Sequence, residues 1–450
     1  MKQIIFLAAL FWTLCLSFPM GLSFADDVKK LEEIENRLSN ELVLSDLLRY
    51  AYLSNPSITS SKESWKMFIE NYRIAKSYPD PQLVATYFPS PIETRLGPQD
   101  WNLTLSQAIP FPGKLTQKGK VLEADTKISK LKLDKTIKNI VTSISASFYE
   151  LNYIQRAVEI ARANFNLNQE LIKISATAYA QDKALFYDVS KAQAQTGQIQ
   201  YDILLLEELE LTEKARINTL LNRAPDAFLG KTADLIFRKV VYRLDEIYAL
   251  SLTHQEDILI AEEKVRQSED LIILSRYESL PSFKLGLFYA VIGEPDVPTP
   301  PKNAGDDAIG IQLGFNLPIW FGKNESEISK AMASKRKAQS DKLVIANQTK
   351  EKISRLWFKL QNSKRLITLY EKQLIPQSIR SVQTAETWYR QGQGSFSDFL
   401  EIQATTYNFQ LSLARALADY GENLVLLEQM TGVILDKKIE DKREIITHEK

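Results

Sequence analysis

The chain has 450 residues, 44% of them hydrophobic, and 56 basic residues balance 56 acidic ones. A neutral balance excludes a broad electrostatic surface for nucleic acid. One cysteine and two histidines leave too few soft ligands for a thiolate or histidine metal centre or a Cys/His catalytic pair, so neither metal nor cofactor is expected.

The N-terminus runs Met1-Lys2-Gln3, then apolar residues from Ile4 to Phe24 broken by Pro19 and Gly21, then Ser23-Phe24-Ala25 before Asp26. A basic start, an apolar core and small residues at the cut predict a secretory signal peptide over 1–25. The only cysteine, Cys15, lies in that leader, and Trp12-Thr13-Leu14 before it lacks the small residue that lipid attachment would want. The mature chain then carries no thiol, which suits an exported protein.

From there the chain says nearly the same thing twice. Tyr179, Phe186, Asp188 and Gln193 are answered 210 residues later by Tyr389, Phe396, Asp398 and Gln403. Upstream, Ile144, Phe148 and Leu151 are answered 209 residues later by Ile353, Trp357 and Leu360. So long a period excludes a solenoid, whose units run roughly 20 to 50 residues. The expected organisation is a first repeat over 26–222, a connector over 223–243 holding Pro225 and Gly230, a second repeat over 244–432, and a charged tail over 433–450. Each repeat reads as helix, β-hairpin, long helix, turn and return helix.

The first strand, around Gln82 to Phe88, is short and weak in pattern. In the second, Trp101, Leu103 and Leu105 alternate with Asn102, Thr104 and Ser106. The third sets Phe283, Leu285, Leu287 and Tyr289 against Lys284 and Gly286. The fourth sets Ile309, Ile311, Leu313 and Phe315 against Gly310, Gln312 and Gly314. Alternation of this kind suits a transmembrane barrel strand or a half-buried soluble sheet. On the barrel reading Trp101, Leu103, Leu105, Ile311 and Leu313 face lipid. The connections Pro89–Gln99 and Ile292–Asp307, rich in Pro, Gly and Asp, read as long loops. Four strands are too few for one barrel, since known ones use about eight or more, so several chains would have to share it.

The rest reads as helix. Lys114 to Ala178 contains no proline, and Ile144, Phe148, Leu151, Ile154 and Val158 step at helical spacing. Lys323 to Trp388 repeats the pattern with a break at Pro376. Return helices are expected over 188–222 and 395–431, the second opened by Ser395 with Asp398 three residues on as a capping box. Gly230-Lys231-Thr232 resembles the end of a phosphate loop but lacks its earlier glycine. No Gly-x-Ser-x-Gly elbow occurs, and the chain does not read as an enzyme.

Leu44-Ser45-Asp46-Leu47-Leu48 with Asn55-Pro56-Ser57-Ile58, the exit Pro110-Phe111-Pro112-Gly113-Lys114, and the two Tyr…Asp…Gln-Ala turns together resemble the TolC-like outer-membrane efflux proteins over the whole mature chain. The Pro-Phe-Pro-Gly-Lys wording looks most like the cation and multidrug branch. The resemblance implies an α+β membrane protein of the outer membrane: a homotrimer sharing a twelve-stranded barrel, with a long α-helical tunnel in the periplasm. A periplasmic adaptor and an inner-membrane pump would dock at the helical turns, the tip, marked by Tyr179, Asp188, Tyr389, Gly392 and Gly394. Asp398 and Glu401 would form an acidic constriction there. The family's latch arginine falls at Gly394, so any latch must differ, and its adaptor contact falls at Gln181-Asp182-Lys183. Two other readings stay open: the outlet of a type I protein-secretion system, and a periplasmic coiled-coil scaffold.

Overall fold

A computed structural model describes residues 22–181, 185–391 and 393–437. Most of the expected leader, Asp182, Lys183, Gly392 and most of the charged tail lie outside the described residues. In chain order the elements are α1 (Leu22–Asn40), β1 (Glu41–Leu42), α2 (Leu44–Ser54), α3 (Pro56–Lys76), β2 (Gln82–Thr94), β3 (Gly97–Ile109), α4 (Lys114–Ala180), α5 (Phe186–Leu220), β4 (Lys231–Thr232), α6 (Leu244–His254), α7 (Glu256–Glu278), β5 (Phe283–Ile292), β6 (Ala308–Phe315), α8 (Phe321–Leu369), a π-turn (Tyr370–Leu374), α9 (Ile375–Arg390) and α10 (Phe396–Thr431). Among the described residues no helix is long and apolar enough to cross a membrane.

Two compact units emerge, and each takes segments from both halves of the chain. The first holds residues 1–58, 137–248 and 351–450. Its core joins Leu38, Leu42 and Leu47 to Ile144, Phe148, Leu151, Ile217, Leu221 and Val425. A second cluster collects Ile247, Ile353, Leu360, Tyr420, Leu424 and Leu427. The Leu44–Ile58 motif explains itself here. Leu47 is fully buried, while Asp46 accepts from Arg37 at 3.0 and 3.2 Å. Asn55 donates to the Leu220 carbonyl at 2.8 Å and accepts from the Ser57 amide at 2.9 Å, so it closes the end of α5 and starts α3 together. Helices α4 and α10 approach so closely at Gly421 that a Cβ there would lie 2.3 Å from the Tyr149 ring.

The connector is built into this unit rather than loose. Lys231–Thr232 pairs in parallel with Glu41–Leu42. Arg238 binds Glu428 at 2.5 Å and Asp436 at 2.8 Å.

The second unit holds residues 59–136 and 249–350, with a four-stranded sheet in the order β2-β3-β5-β6. All neighbouring strands are antiparallel, and β2 and β6 are the edges. Helices α4 and α7 are tied within it by Lys135–Asp257 at 2.5 Å and by Gln117 donating to the Asp270 carbonyl and carboxylate at 3.0 Å. The strand exit at Gly113 needs glycine: φ is +90°, and a Cβ would meet the Tyr277 ring at 2.8 Å. Lys114 then opens α4.

Three expectations are corrected. Pro89–Gln99 is not a long loop, because β2 continues to Thr94 and β3 begins at Gly97, leaving only Arg95 and Leu96 between them. The prolines are tolerated since β2 is an edge strand, and they sit where its register shifts between Tyr87 and Ile92. The helical break is not at Pro376 itself. A π-turn over Tyr370–Leu374 precedes it, and Pro376 sits in the first turn of α9, where its missing N–H costs no helical bond. Ser395 does stand at the N-cap of α10 but makes no side-chain cap bond, so the capping box is not formed. The second connection, 293–307, is a loop as expected.

Candidate functional site

Two surfaces carry the candidate residues, and the sheet is the simpler. Its registers place Leu83, Leu105, Leu287 and Ile311 in one row across all four strands, and Ala85, Leu103, Tyr289 and Ile309 in the next. Tyr87, Trp101 and Val291 form a third row. Side chains in one row share a face, so a single apolar face spans the sheet. It is exposed: Leu313 is 82% and Ile311 73% accessible, and Leu83, Tyr87, Trp101 and Leu105 are also open. The opposite face carries Asn102, Thr104, Ser106, Gly286, Gln312 and Gly314, as period-two geometry requires. The five strand residues singled out in the sequence lie on the apolar face together. The loop at its far end is pinned by Asp307, which accepts from the Tyr289 hydroxyl and, at 3.1 Å, from the Ile292 amide.

The second surface lies where α4 turns into α5 and α9 into α10, all within the first unit. The two turns share one device. Tyr179 packs on Phe186 with ring centroids 5.7 Å apart, and Tyr389 packs on Phe396 at 5.0 Å. Phe396, Phe399 and Leu400 are buried in one cluster with Leu171 and Ala192, which fastens the second turn onto the first helical pair. Above that cluster Gln403 donates to Asn164 Oδ1 at 3.1 Å inside the bundle. Lys191 donates to Ser397, a side-chain tie between α5 and α10.

Asp188 takes the N3 place of α5, and its carboxylate accepts from the Leu185 amide at 3.4 Å. Burial pushes the Tyr389 phenol above its ordinary value, and the Asp188 carboxylate pushes it further. The Tyr389 hydroxyl is buried without a hydrogen-bond partner. Asp398 and Glu401 are exposed on one face of α10, three residues apart. Asp398 lines a groove of about 630 Å³ between α9 and α10 with Arg380, Ser381, Thr384, Trp388 and Ile402. Glu401 joins Asp398 in the adjoining hollow over Thr405 and Phe409. Gly394 lies against the Trp388 backbone, its N–H bonded to the Trp388 carbonyl at 3.2 Å.

Sequence reading missed three features of this surface. Leu185, Phe186 and Tyr187 are exposed at the first turn, although Phe396, the counterpart of Phe186, is buried. The aromatic pairs were visible only as Tyr and Phe spaced seven residues apart in both copies. The Lys191–Ser397 tie joins residues far apart in sequence and left no local trace. Among the described residues no group of three or more His, Cys, Asp or Glu is placed to hold a metal. The groove beside Asp398 mixes the Arg380 cation and the Ser381 and Thr384 hydroxyls with the apolar Trp388 and Ile402.

An exposed apolar sheet face with two open edges is joined in one chain to helices as long as α4, which has 67 residues and runs about 100 Å by helical rise. Residues 247–433 of the chain match the family described as outer membrane efflux protein. Its fold is shared by the outer membrane protein VceC of Vibrio cholerae, at 19% identity, 87% of this chain, 96% of the other and a TM-score of 0.72. The Campylobacter jejuni CmeC outer membrane channel aligns at 15% identity over 90% of this chain and 88% of its own, TM-score 0.69. The Neisseria gonorrhoeae MtrE outer membrane channel aligns at 15% identity over 87% of this chain and 89% of its own, TM-score 0.69. No curated protein sequence matches the chain.

Proposed function

We propose that the chain is the outer-membrane duct of a tripartite efflux system, passive and trimeric. Three copies close a barrel from their sheets, and their helices line a periplasmic passage for small molecules or metal cations. The observation that carries this reading is the sheet: one face apolar and exposed, the other mostly polar residues and glycine with Val84 and Phe288 among them, and both edges without a strand partner. In lipid an unpaired edge is too costly to leave open, and closure with further copies removes it. A periplasmic adaptor would dock at the helical turns, and an inner-membrane pump would drive transport.

At the periplasmic end Asp398 and Glu401 supply the narrowing. Three chains bring six carboxylates to one axis, and rings of carboxylates favour cations, multivalent ones most. Single-channel recording in planar bilayers tests the proposal. Wild-type protein should conduct, favour cations, and be blocked by a trivalent cation on the periplasmic side. The Asp398→Asn, Glu401→Gln double variant should conduct but escape the block. Absence of conductance overturns the duct, and an equal block of the double variant overturns the constriction.

A further inference from the structure

The two halves of the repeat are not equally satisfied. Phe396 is 2% exposed, while Phe186, at the same place in the first copy, is 62% exposed, and its neighbour Tyr187 is 63% exposed. The buried copy shows what this position packs on: Leu171 and Ala192, with Ile174 partly buried beside them. Shifted by the same 210 residues, those three positions are Ser381, Ile402 and Thr384. All three line the α9/α10 groove. Within the chain, then, one aromatic has its seat, and the equivalent seat on the other copy stands open. An aromatic of the right kind is exposed at the equivalent turn but cannot be the one that fills it, because the repeat leads from each copy to the next.

The polar tie transforms in the same way. Lys191 donates to Ser397 across the contact between the copies. The positions 210 residues away are Glu401 for Lys191 and Tyr187 for Ser397. An ammonium–hydroxyl pair is replaced by a carboxylate and a phenol, which again make one donor and one acceptor. Had the substitutions been unrelated, two acceptors or two cations could as easily have met.

We propose that at the seam between neighbouring chains Phe186 of one chain seats in the α9/α10 groove of the next, and the Tyr187 hydroxyl donates to that chain's Glu401. The inference rests on the trimeric reading above, with copies alternating around the axis so that each copy meets the other kind on both sides. The groove that carries Asp398 is then completed by a neighbour, and Tyr187 becomes a positioning residue that fixes the direction of the Glu401 side chain at the narrowing.

Thiol cross-linking decides the matter, because the chain has one cysteine and a Cys15→Ser background has none. The Tyr187→Cys, Glu401→Cys variant, treated in detergent with a short bis-maleimide, should run as covalent dimer and closed trimer on a denaturing gel. Tyr187→Cys alone should stay monomeric, and Glu401→Cys alone sets the level of linking across the axis that the double variant must exceed. The Lys191→Cys, Ser397→Cys variant should consume both thiols while remaining monomeric, which controls for the chemistry. Adding Ile402→Trp to the first pair fills the groove and should abolish its excess of cross-links. A double variant that links no more than Glu401→Cys alone while native mass spectrometry of the wild type finds trimer overturns the seam and leaves the trimer standing. A wild type that is itself monomeric overturns the trimer. Cross-linking unaffected by Ile402→Trp overturns the seating of Phe186.

Discussion

Phe399 shows what a single residue contributes where α9 turns into α10. It is 1% exposed in the cluster that fastens α10 to α4 and α5. Removing a buried phenylalanine ring loses its transfer energy and leaves a cavity, so Phe399→Ala should cost about 3–5 kcal/mol. The measurement is the denaturant midpoint of the detergent-solubilised protein; an unshifted midpoint would mean the cluster is not formed. A different residue-scale effect arises at Arg415, which binds Glu150 and Asp419 at 2.6 Å, reaches Glu422 at 3.8 Å and lies 4.7 Å over the Tyr153 ring. Burial raises the Glu422 carboxyl above its ordinary value of 4.5; Arg415 and Lys359 oppose this, while Asp419 and Glu150 add to it. A carboxyl whose folded value is raised binds its proton more tightly when folded. Its ionised form therefore subtracts stability at neutral pH, and that loss disappears as pH falls through the folded value toward 4.5. Glu422→Gln should raise the thermal midpoint at neutral pH, with the gain shrinking toward pH 4.5. A gain that grows on acidification would show that Arg415 dominates instead.

At the scale of elements the sheet makes the sharper prediction. Arg at Leu103, Leu105, Ile311 or Leu313 puts a charge on the apolar face and should cost about 2–4 kcal/mol near the bilayer midplane. Arg at Thr104 or Gln312, on the polar face, should cost little. Folding into lipid vesicles followed by urea titration compares them, and equal losses on both faces would refute a lipid-facing side. These strands were legible because alternation is a local signal, carried by neighbours such as Leu103 and Thr104. Helix α4 was legible for the same reason, through the spacing of Ile144, Phe148 and Leu151. The end of β2 was not, because Pro89 and Pro91 read as loop wherever the strand's place in the sheet is unknown; only the sheet order reveals an edge. The π-turn left a trace that needed geometry to interpret. The repeat slips from an offset of 209 at Leu360 to 210 at Tyr389, and Tyr370–Leu374 falls between. One extra residue in a helix is what a π-turn accommodates. The acids were legible as residues but not as a site, since the groove around Asp398 is made by Arg380, Ser381 and Trp388 on another helix.

For the whole molecule the sheet edges set the strongest demand. Strands β2 and β6 each have a neighbour on one side only, and the face between them exposes Leu83, Tyr87, Leu105, Leu287, Ile311 and Leu313. Exposed edges of an apolar sheet invite uncontrolled pairing unless the sheet closes. The chain cannot close it alone: four strands fall short of the roughly eight that the smallest known barrels need. Joining β6 of one copy to β2 of the next satisfies both edges at once, and repeating that step around an axis closes the barrel with no edge left. Two copies reach eight strands and three reach twelve, so the count of copies is a measurable consequence of the barrel. Twelve strands leave an open lumen where eight fill with side chains, and a duct requires the former. Native mass spectrometry of protein extracted in mild detergent should therefore find three chains per particle. A dimer would point to a filled eight-stranded barrel without a passage, and a monomer would mean that the sheet is covered by something other than its own copies.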